Sequence, residues 1–555
     1  MNIFSLQKSR FSLLAILLIL ICISATDPLA VPTTKVTLLK AEETNTSKSK
    51  VTDIIGHDET GSYILRENEG GKLFIEHVNN KMVIDISQKI SREHKKTGAY
   101  FSYAKLFSGN LYFFYTSSQS APKGSKSFLR FEKVDKKTLL QGERLITVDS
   151  IYCPMFMNPL QAVEYTSTPL FKYSASSKDS YVAFFCIEPF GKENGEFPDA
   201  YGFKIRVIDS KMAKVWEKHV RIPYSGGIFS VTDVVVDDLG NVYMVSKEWQ
   251  PRKEAKALRT EGKPDFRYHL YKYSANGEDE FEMPVEFGDK FISAIDLKTN
   301  QNGDMIASGF YSNSAISKSE ETFGIKGAFY ICIHGKTNEI KTQTFTAFEK
   351  DFITEGLGAR QKQKAEKVED GPELDDYYMD ELLFNPDGSA TLIAEQYTDF
   401  TNIGYYSNGY GGTYASGHTY YHFKNILVIT FNPDGSIKWK RKIQKDQTSA
   451  DDGGRYSSYV FATIGDKLYF IYNDNPDNLN LMPREAIHKH VVTKKAAVIL
   501  AEIDNNGEVS KELLMNAERF ELMVCPKLSE QSGEKEVLLL SENPRSHAFI
   551  KATFR

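Results

Sequence analysis

Beyond residue 35 the chain alternates short apolar runs with tight polar turns. The stretch DVVVDDLGNVYMVS, from Asp233, shows the unit: an alternating apolar run, an Asp/Gly turn and a second apolar run. Period-two patterning on both sides of a short turn predicts a β-hairpin. The pattern recurs as AIDLKTNQNGDMIASGF from Ala294, ELLFNPDGSATLIAE from Glu381 and YVFATIGDKLYFIYN from Tyr459. More degenerate copies are YAKLFSGNLYFFYT from Tyr103 and LFKYSASSKDSYVAFF from Leu170. A second hairpin type alternates with the first from Leu170 onward: FKIRVIDSKMAKVWEKHV, YHLYKYSANGEDEFEMPV, AFYICIHGKTNEIKTQTF, ILVITFNPDGSIKWKRKI and AVILAEIDNNGEVSKELL.

One hairpin of each type makes a four-stranded unit, with strands A to D. Repetition of such a meander predicts an all-β fold, a single β-propeller. Units fall at about 52–88, 100–147, 163–222, 229–287, 291–347, 378–445 and 456–515. The segment from Glu521 supplies only three strands: ELMVCPKLS, EVLLLSE and HAFIKATF. The missing fourth is KVTLLKAE from Lys35, which would close the ring and leave no open sheet edge. The expected count is then eight four-stranded blades; seven is the alternative if the first unit is not a blade. The charged run GLGARQKQKAEKVEDG, from Gly356, reads as a solvated linker or short helix within a long connection, 349–376, between blades five and six.

The turn DDLGN between apolar strands, together with the Trp-bearing second hairpins RVIDSKMAKVWEKHV and VITFNPDGSIKWKRKI, resembles the blade repeats of bacterial NHL-like and SBBP-type propellers. The likeness covers blades three to seven and implies the fold, not an activity. Two enzymatic propeller patterns are absent. The segment Asp209–Trp216 lacks the Thr–Gly turn of quinoprotein dehydrogenase repeats, and NPDGSIKW places Gly435 one position too early for a sialidase Asp-box.

The repeated phrase FNPDGS, at Phe384 and Phe431, reads as turn chemistry rather than a calcium loop. Its copies are the A–B and C–D turns of one blade and so belong on one face of the disc.

Composition adds a compartment. The start of the chain carries Lys8 and Arg10, an apolar run Phe11–Ile23 too short to span a bilayer, and small residues Ser24 and Ala25. It reads as an export signal over 1–25 with a short linker over 26–34, leaving 35–555 as the propeller. That places the protein in the periplasm or outside the cell. Ile21 stands where a lipoprotein signal needs a small residue, which argues against lipidation at Cys22. No later stretch suits a transmembrane helix. A net charge of −5 over 555 residues lacks the basic excess of a nucleic-acid binder. Cys153, Cys186, Cys332 and Cys525 are far apart in apolar contexts and read as buried thiols, with a Cys153–Cys186 disulfide as the one pairing open in an exported chain.

In a four-stranded meander, A–B and C–D turns share one face, and B–C loops share the other with the D–A linkers. Here the first set is tight. The B–C connections Glu188–Tyr201, Lys247–Arg267, Tyr311–Gly327, Tyr397–Lys424 and Asn473–Lys495 are long, as is the D–A linker Glu349–Asp376. Loops of that length mark the functional face. The richest, from Tyr397, holds Tyr405, Tyr406, Tyr410, Tyr414, Tyr420 and Tyr421 among glycines, residues suited to a protein or glycan partner. Asp233 and Asp380 start the A strands of their blades, placing them at the channel mouth or against the next blade. His418, His422, His488 and His490 share the same face without carboxylate or Cys spacing to reinforce a metal site. No nucleophile elbow, HExxH, phosphate loop or paired carboxylate motif is present, and no motif calls for a cofactor. The expected function is a non-enzymatic protein- or glycan-binding module. The alternatives are a polysaccharide hydrolase or lyase using channel-mouth carboxylates, and an envelope scaffold.

Overall fold

The structure is a computed structural model. It describes residues 35–555 apart from 46–48, 122–123, 155–170, 191–199, 223–228, 262, 286–289, 301, 313–323, 366, 369–370, 386, 408–412, 482–486, 492–495, 517–521 and 544. The segment expected to be an export signal, with Cys22, lies outside the described residues.

Eight antiparallel sheets follow one another along the chain, each with four principal strands in meander order. Blade 4 is representative: Phe229–Val236, Val242–Trp249, Phe266–Tyr273 and Glu280–Val285. The A strands touch their counterparts in neighbouring blades and so ring the axis. The eighth blade draws on both chain ends. Val36–Lys40 pairs with Ser546–Phe554, Val36 opposite Phe554 and Lys40 opposite Ile550. The ring is therefore an eight-bladed propeller closed by its first strand, as the sequence predicts.

The core is not axial. Eight hydrophobic clusters lie one to a seam between neighbouring blades. Both faces of each sheet are consequently buried. Middle strands such as Met305–Ser312 and Gly327–Ile333 are buried at every position, which is why they read as continuous apolar runs. The outer strands are more exposed and can alternate, as in Glu280–Val285.

Two Trp residues lock one blade to the next. Trp216, on strand D of blade 3, lies over Gly277 in the C–D turn of blade 4; Trp439, on strand D of blade 6, lies over Gly507 in that of blade 7. A Cβ built at Gly507 would fall 2.7 Å from the Trp439 ring, and one at Gly277 would fall 3.0 Å from Trp216. The turn carbonyls accept hydrogen bonds from the same neighbour: Lys218 Nζ to Gly277 at 2.6 Å and Arg441 Nε to Gly507 at 2.6 Å. Thr344 Oγ1 donates likewise to Gly435 of blade 6, at 2.6 Å. The glycines thus combine a left-handed turn with close approach by a large ring.

The FNPDGS copies are the two turns of blade 6. Gly388 and Gly435 take φ of 85° and 80°. They lie side by side, since a Cβ at Gly388 would stand 3.4 Å from Pro433 Cγ. Cys186, Cys332 and Cys525 are buried; the Cys153 side chain, and with it the Cys153–Cys186 pairing, lies outside what the structure describes. Two short helices, Lys350–Thr354 and Ala359–Ala365, occupy the linker between blades five and six, and a third, Arg252–Thr260, fills the B–C connection of blade 4. Among the described residues no helix is long and apolar enough to cross a membrane.

The seam device yields a paired test. Gly465 has φ 66° with nothing within 4 Å of an added Cβ, whereas Gly507 has φ 80° with Trp439 against it. Gly465→Ala is expected to cost about 1 kcal/mol from backbone strain alone. Gly507→Ala is expected to cost roughly 1–3 kcal/mol more, because Trp439 must be displaced. Urea unfolding at unchanged m-value measures both; equal losses would show that the Trp contact contributes nothing.

Candidate functional site: the channel mouth and a β-hairpin arm

A regular strand points its side chains at the two sheet faces, and here both faces meet neighbouring blades. A side chain reaches the channel only where the strand is irregular. Five A strands carry a β-bulge at the corresponding place, about three residues from the loop-bearing end. The register slips between Val51 and Asp53, Phe101 and Tyr103, Val231 and Asp233, Ile292 and Ala294, and Met379 and Glu381. The bulged residues are Thr52, Ser102, Thr232, Ser293 and Asp380, all with side-chain oxygens, and four of the five are exposed. Bulges re-aim side chains in this way beside binding sites.

The carboxylates next to these bulges bridge seams. Asp233 of blade 4 hydrogen-bonds Asp296 of blade 5. Burial, and then the neighbouring Asp233 carboxyl, push Asp296 up to about 7. Lys298 continues the row with an ion pair to Glu381 of blade 6, at 3.0 Å. One seam further, Asp380 accepts a 2.5 Å hydrogen bond from Tyr459 of blade 7. Although Asp380 is surface-accessible, the protein packed around it displaces water from its carboxyl and raises it to about 6, and the Tyr459 hydrogen bond tempers the rise. Asp233 and Asp380 are therefore both at the channel wall and both tied to the following blade. Their partners Asp296, Lys298 and Tyr459 carry no motif and lie outside the bulges; the slips are in the strands that carry Asp233, Asp380 and Glu381.

At the seam between blades 3 and 4 the wall opens into a cavity of about 100 Å³. Lys172, Tyr173, Thr232 and Asp233 line it, over an apolar floor that includes Phe185.

The Tyr397–Lys424 connection is not a loop, as expected from its glycines, but a hairpin arm. Strands B and C of blade 6 run unbroken into it as Ala390–Ser407 and Thr413–Phe431. The register continues past the blade from Tyr397 opposite Phe423 to Ser407 opposite Thr413. At about 3.3 Å per residue, that is an overhang of roughly 30 Å. The root is braced by Gln447–Ala450, which pairs with Tyr420–Phe423. Further out, His418 Nδ1 meets Asp451 at 2.7 Å. Glu395, just below the arm, makes a buried 2.5 Å ion pair with Lys445 and accepts a 2.6 Å hydrogen bond from Ser458. Loss of either ion would strand the other, which holds the root rigid.

Phe400, 52% exposed, stacks on Tyr420 at 5.2 Å and on His422 at 5.5 Å, making a solvent-facing aromatic strip. Tyr421 lies opposite Asp399, on the other face. Tyr405, Tyr406 and Tyr414 sit on the outer part of the arm, Tyr406 opposite Tyr414 and Tyr405 opposite Ala415. Tyr410 lies outside the described residues. The histidines do not converge. His422 Nδ1 lies 2.9 Å from Thr448 Oγ1, and His490 is buried and held near 4 by that burial. Among the described residues no group of three His, Cys, Asp or Glu side chains could hold a metal ion.

No family model and no curated protein sequence matches the chain. Solved structures resemble it at low scores. Prolyl oligopeptidase B from Galerina marginata is 9% identical with a TM-score of 0.38, covering 89% of this chain and 55% of that one, so this chain spans about half the peptidase's length. The WD40 domain of SCAP from fission yeast is 8% identical with a TM-score of 0.39, covering 96% and 98%. A Synechocystis apocarotenoid oxygenase is 8% identical with a TM-score of 0.32, covering 86% and 94%.

The raised Asp296 carboxyl makes stability depend on pH. A carboxyl whose folded pKa is raised stabilises the fold while protonated, and that contribution is lost as pH rises from about 4, the unfolded value, to about 7. Asp296→Asn keeps a hydrogen-bond donor for Asp233 but does not titrate. The variant is expected to exceed the parent in stability by roughly 1–3 kcal/mol at pH 8, with the gap closing by pH 5. Denaturant titrations at the two pH values decide it; a gap independent of pH would show that Asp296 is not raised by its surroundings.

Proposed function

We propose that the protein is an exported, non-enzymatic binding propeller that engages a protein or glycan partner through its loop-bearing face, with the hairpin arm as principal contact. The observation that carries this reading is the arm. Its two strands run past the blade that roots them, its inner half displays the Phe400–Tyr420–His422 strip, and its root is fixed by a buried ion pair. Aromatic area on a pre-ordered support binds without a large ordering cost. The export signal supports an extracytoplasmic setting. The channel carboxylates support binding rather than glycoside cleavage, because Asp233 and Asp296 touch, and the paired acids of glycosidases stand roughly 5–9.5 Å apart to admit the sugar or water.

A photo-crosslinking residue in place of Phe400 tests the reading against one in place of Val83, which is exposed on the plain face. Adducts in cells are expected from position 400 and not from 83. A second variant replaces residues 401–419 by an Asn-Gly turn and adds Phe400→Ser and Tyr420→Ser, which removes the aromatic strip; it is expected to keep its Tm within about 2 °C, since no blade seam is touched, while failing to recover those partners. Equal adducts at both positions, or partners retained by the armless form, would overturn the arm as contact.

A further inference from the structure

We infer that the cavity between blades 3 and 4 is a second, separate binding site, for one neutral sugar unit of a saccharide entering the channel. Its chemistry is built in layers. Tyr173, 41% exposed, is stacked on Tyr103 with centroids 5.3 Å apart and planes 15° off parallel, so one ring face is supported and the other is open. Phe185 and Val231 floor the cavity. Around this apolar base stand three different polar groups: the Thr232 hydroxyl on its bulge, the Lys172 ammonium and the Asp233 carboxyl. Neither Thr232 nor Lys172 has a protein hydrogen-bond or ion-pair partner among the described residues.

The charge balance selects the ligand class. The cavity lining carries one basic side chain, Lys172, and one acidic side chain, Asp233, so the two signs offset each other at its rim. A neutral cavity gives no advantage to a polyphosphate, an acidic chain or a cationic peptide. It offers both donors and acceptors at its rim and an aromatic platform at its base. A pyranose matches that arrangement, with hydroxyls around the edge and C–H bonds on its faces. At roughly 10–15 Å³ per water-sized probe position, about 100 Å³ admits several waters, which a sugar edge would replace. The site lies at the channel wall rather than on the arm, so it is independent of the partner surface proposed above.

The test uses the full-length mature protein and four neutral hexasaccharides: malto-, cello-, manno- and chitohexaose. Saturation-transfer NMR and calorimetry are expected to show at least one binding with Kd of about 1 mM or tighter. Thr232→Val, isosteric and on an exposed bulge, is expected to weaken it roughly three- to tenfold, the worth of one hydrogen bond. Tyr173→Ala is expected to weaken it about tenfold or more, and the armless variant to leave it unchanged. No binding by any of the four, binding insensitive to both cavity substitutions, or stronger binding of an oligolysine or a polygalacturonate fragment would overturn the proposal. Loss of binding in the armless form alone would assign the sugar to the arm instead.

Discussion

Every sheet in this protein is covered on both faces. That constraint sets almost everything else. It requires apolar residues at successive positions of the middle strands, not at alternate ones, and it moves the core from the axis to eight seams. It turns the small C–D turns into interlocking parts, because each abuts the preceding blade. Gly277 and Gly507 are where that abutment is tightest. The hydrogen bonds from Lys218 and Arg441 to the same turns keep their carbonyls satisfied at the point of closest approach.

The same constraint separates the structural and chemical parts of the A strands. With both faces committed to packing, the backbone offers the channel only its irregular positions. Thr52, Ser102, Thr232, Ser293 and Asp380 occupy them. Residues directly after the bulges, Asp233 and Glu381 among them, then bridge to the next blade. The Asp233–Asp296 contact and the Lys298–Glu381 pair thereby tie blades 4, 5 and 6 together.

The fold was legible in the sequence because hairpin turns and apolar runs are local signals. The closing strand Val36–Lys40 was legible by subtraction, since three strands at the end of the chain imply a fourth elsewhere. The arm was not read as strand. Between Tyr397 and Phe423 the glycines and asparagines hide the strand pattern, and only the Tyr- and Thr-rich runs on either side of SNGYGG marked a hairpin. Asp233 and Asp380 were found from their place in the repeat. Asp296 and Tyr459 were not singled out, because their roles depend on a one-residue register slip and on a neighbouring blade about 80 or fewer residues away.

The closing strand has a consequence in time. Val36–Lys40 is among the first segments of the propeller to be made, and its partner Ser546–Phe554 is the last. Throughout synthesis the chain holds an unpaired outer strand, and the eighth blade cannot exist until the final residues arrive. A product cut short near its end leaves Val36 and its neighbours without a sheet, and opens the two seams that flank blade 8. The two ends of the propeller thus depend on each other: the outer strand of blade 8 is made first and finds its sheet only when Ser546–Phe554 has been made.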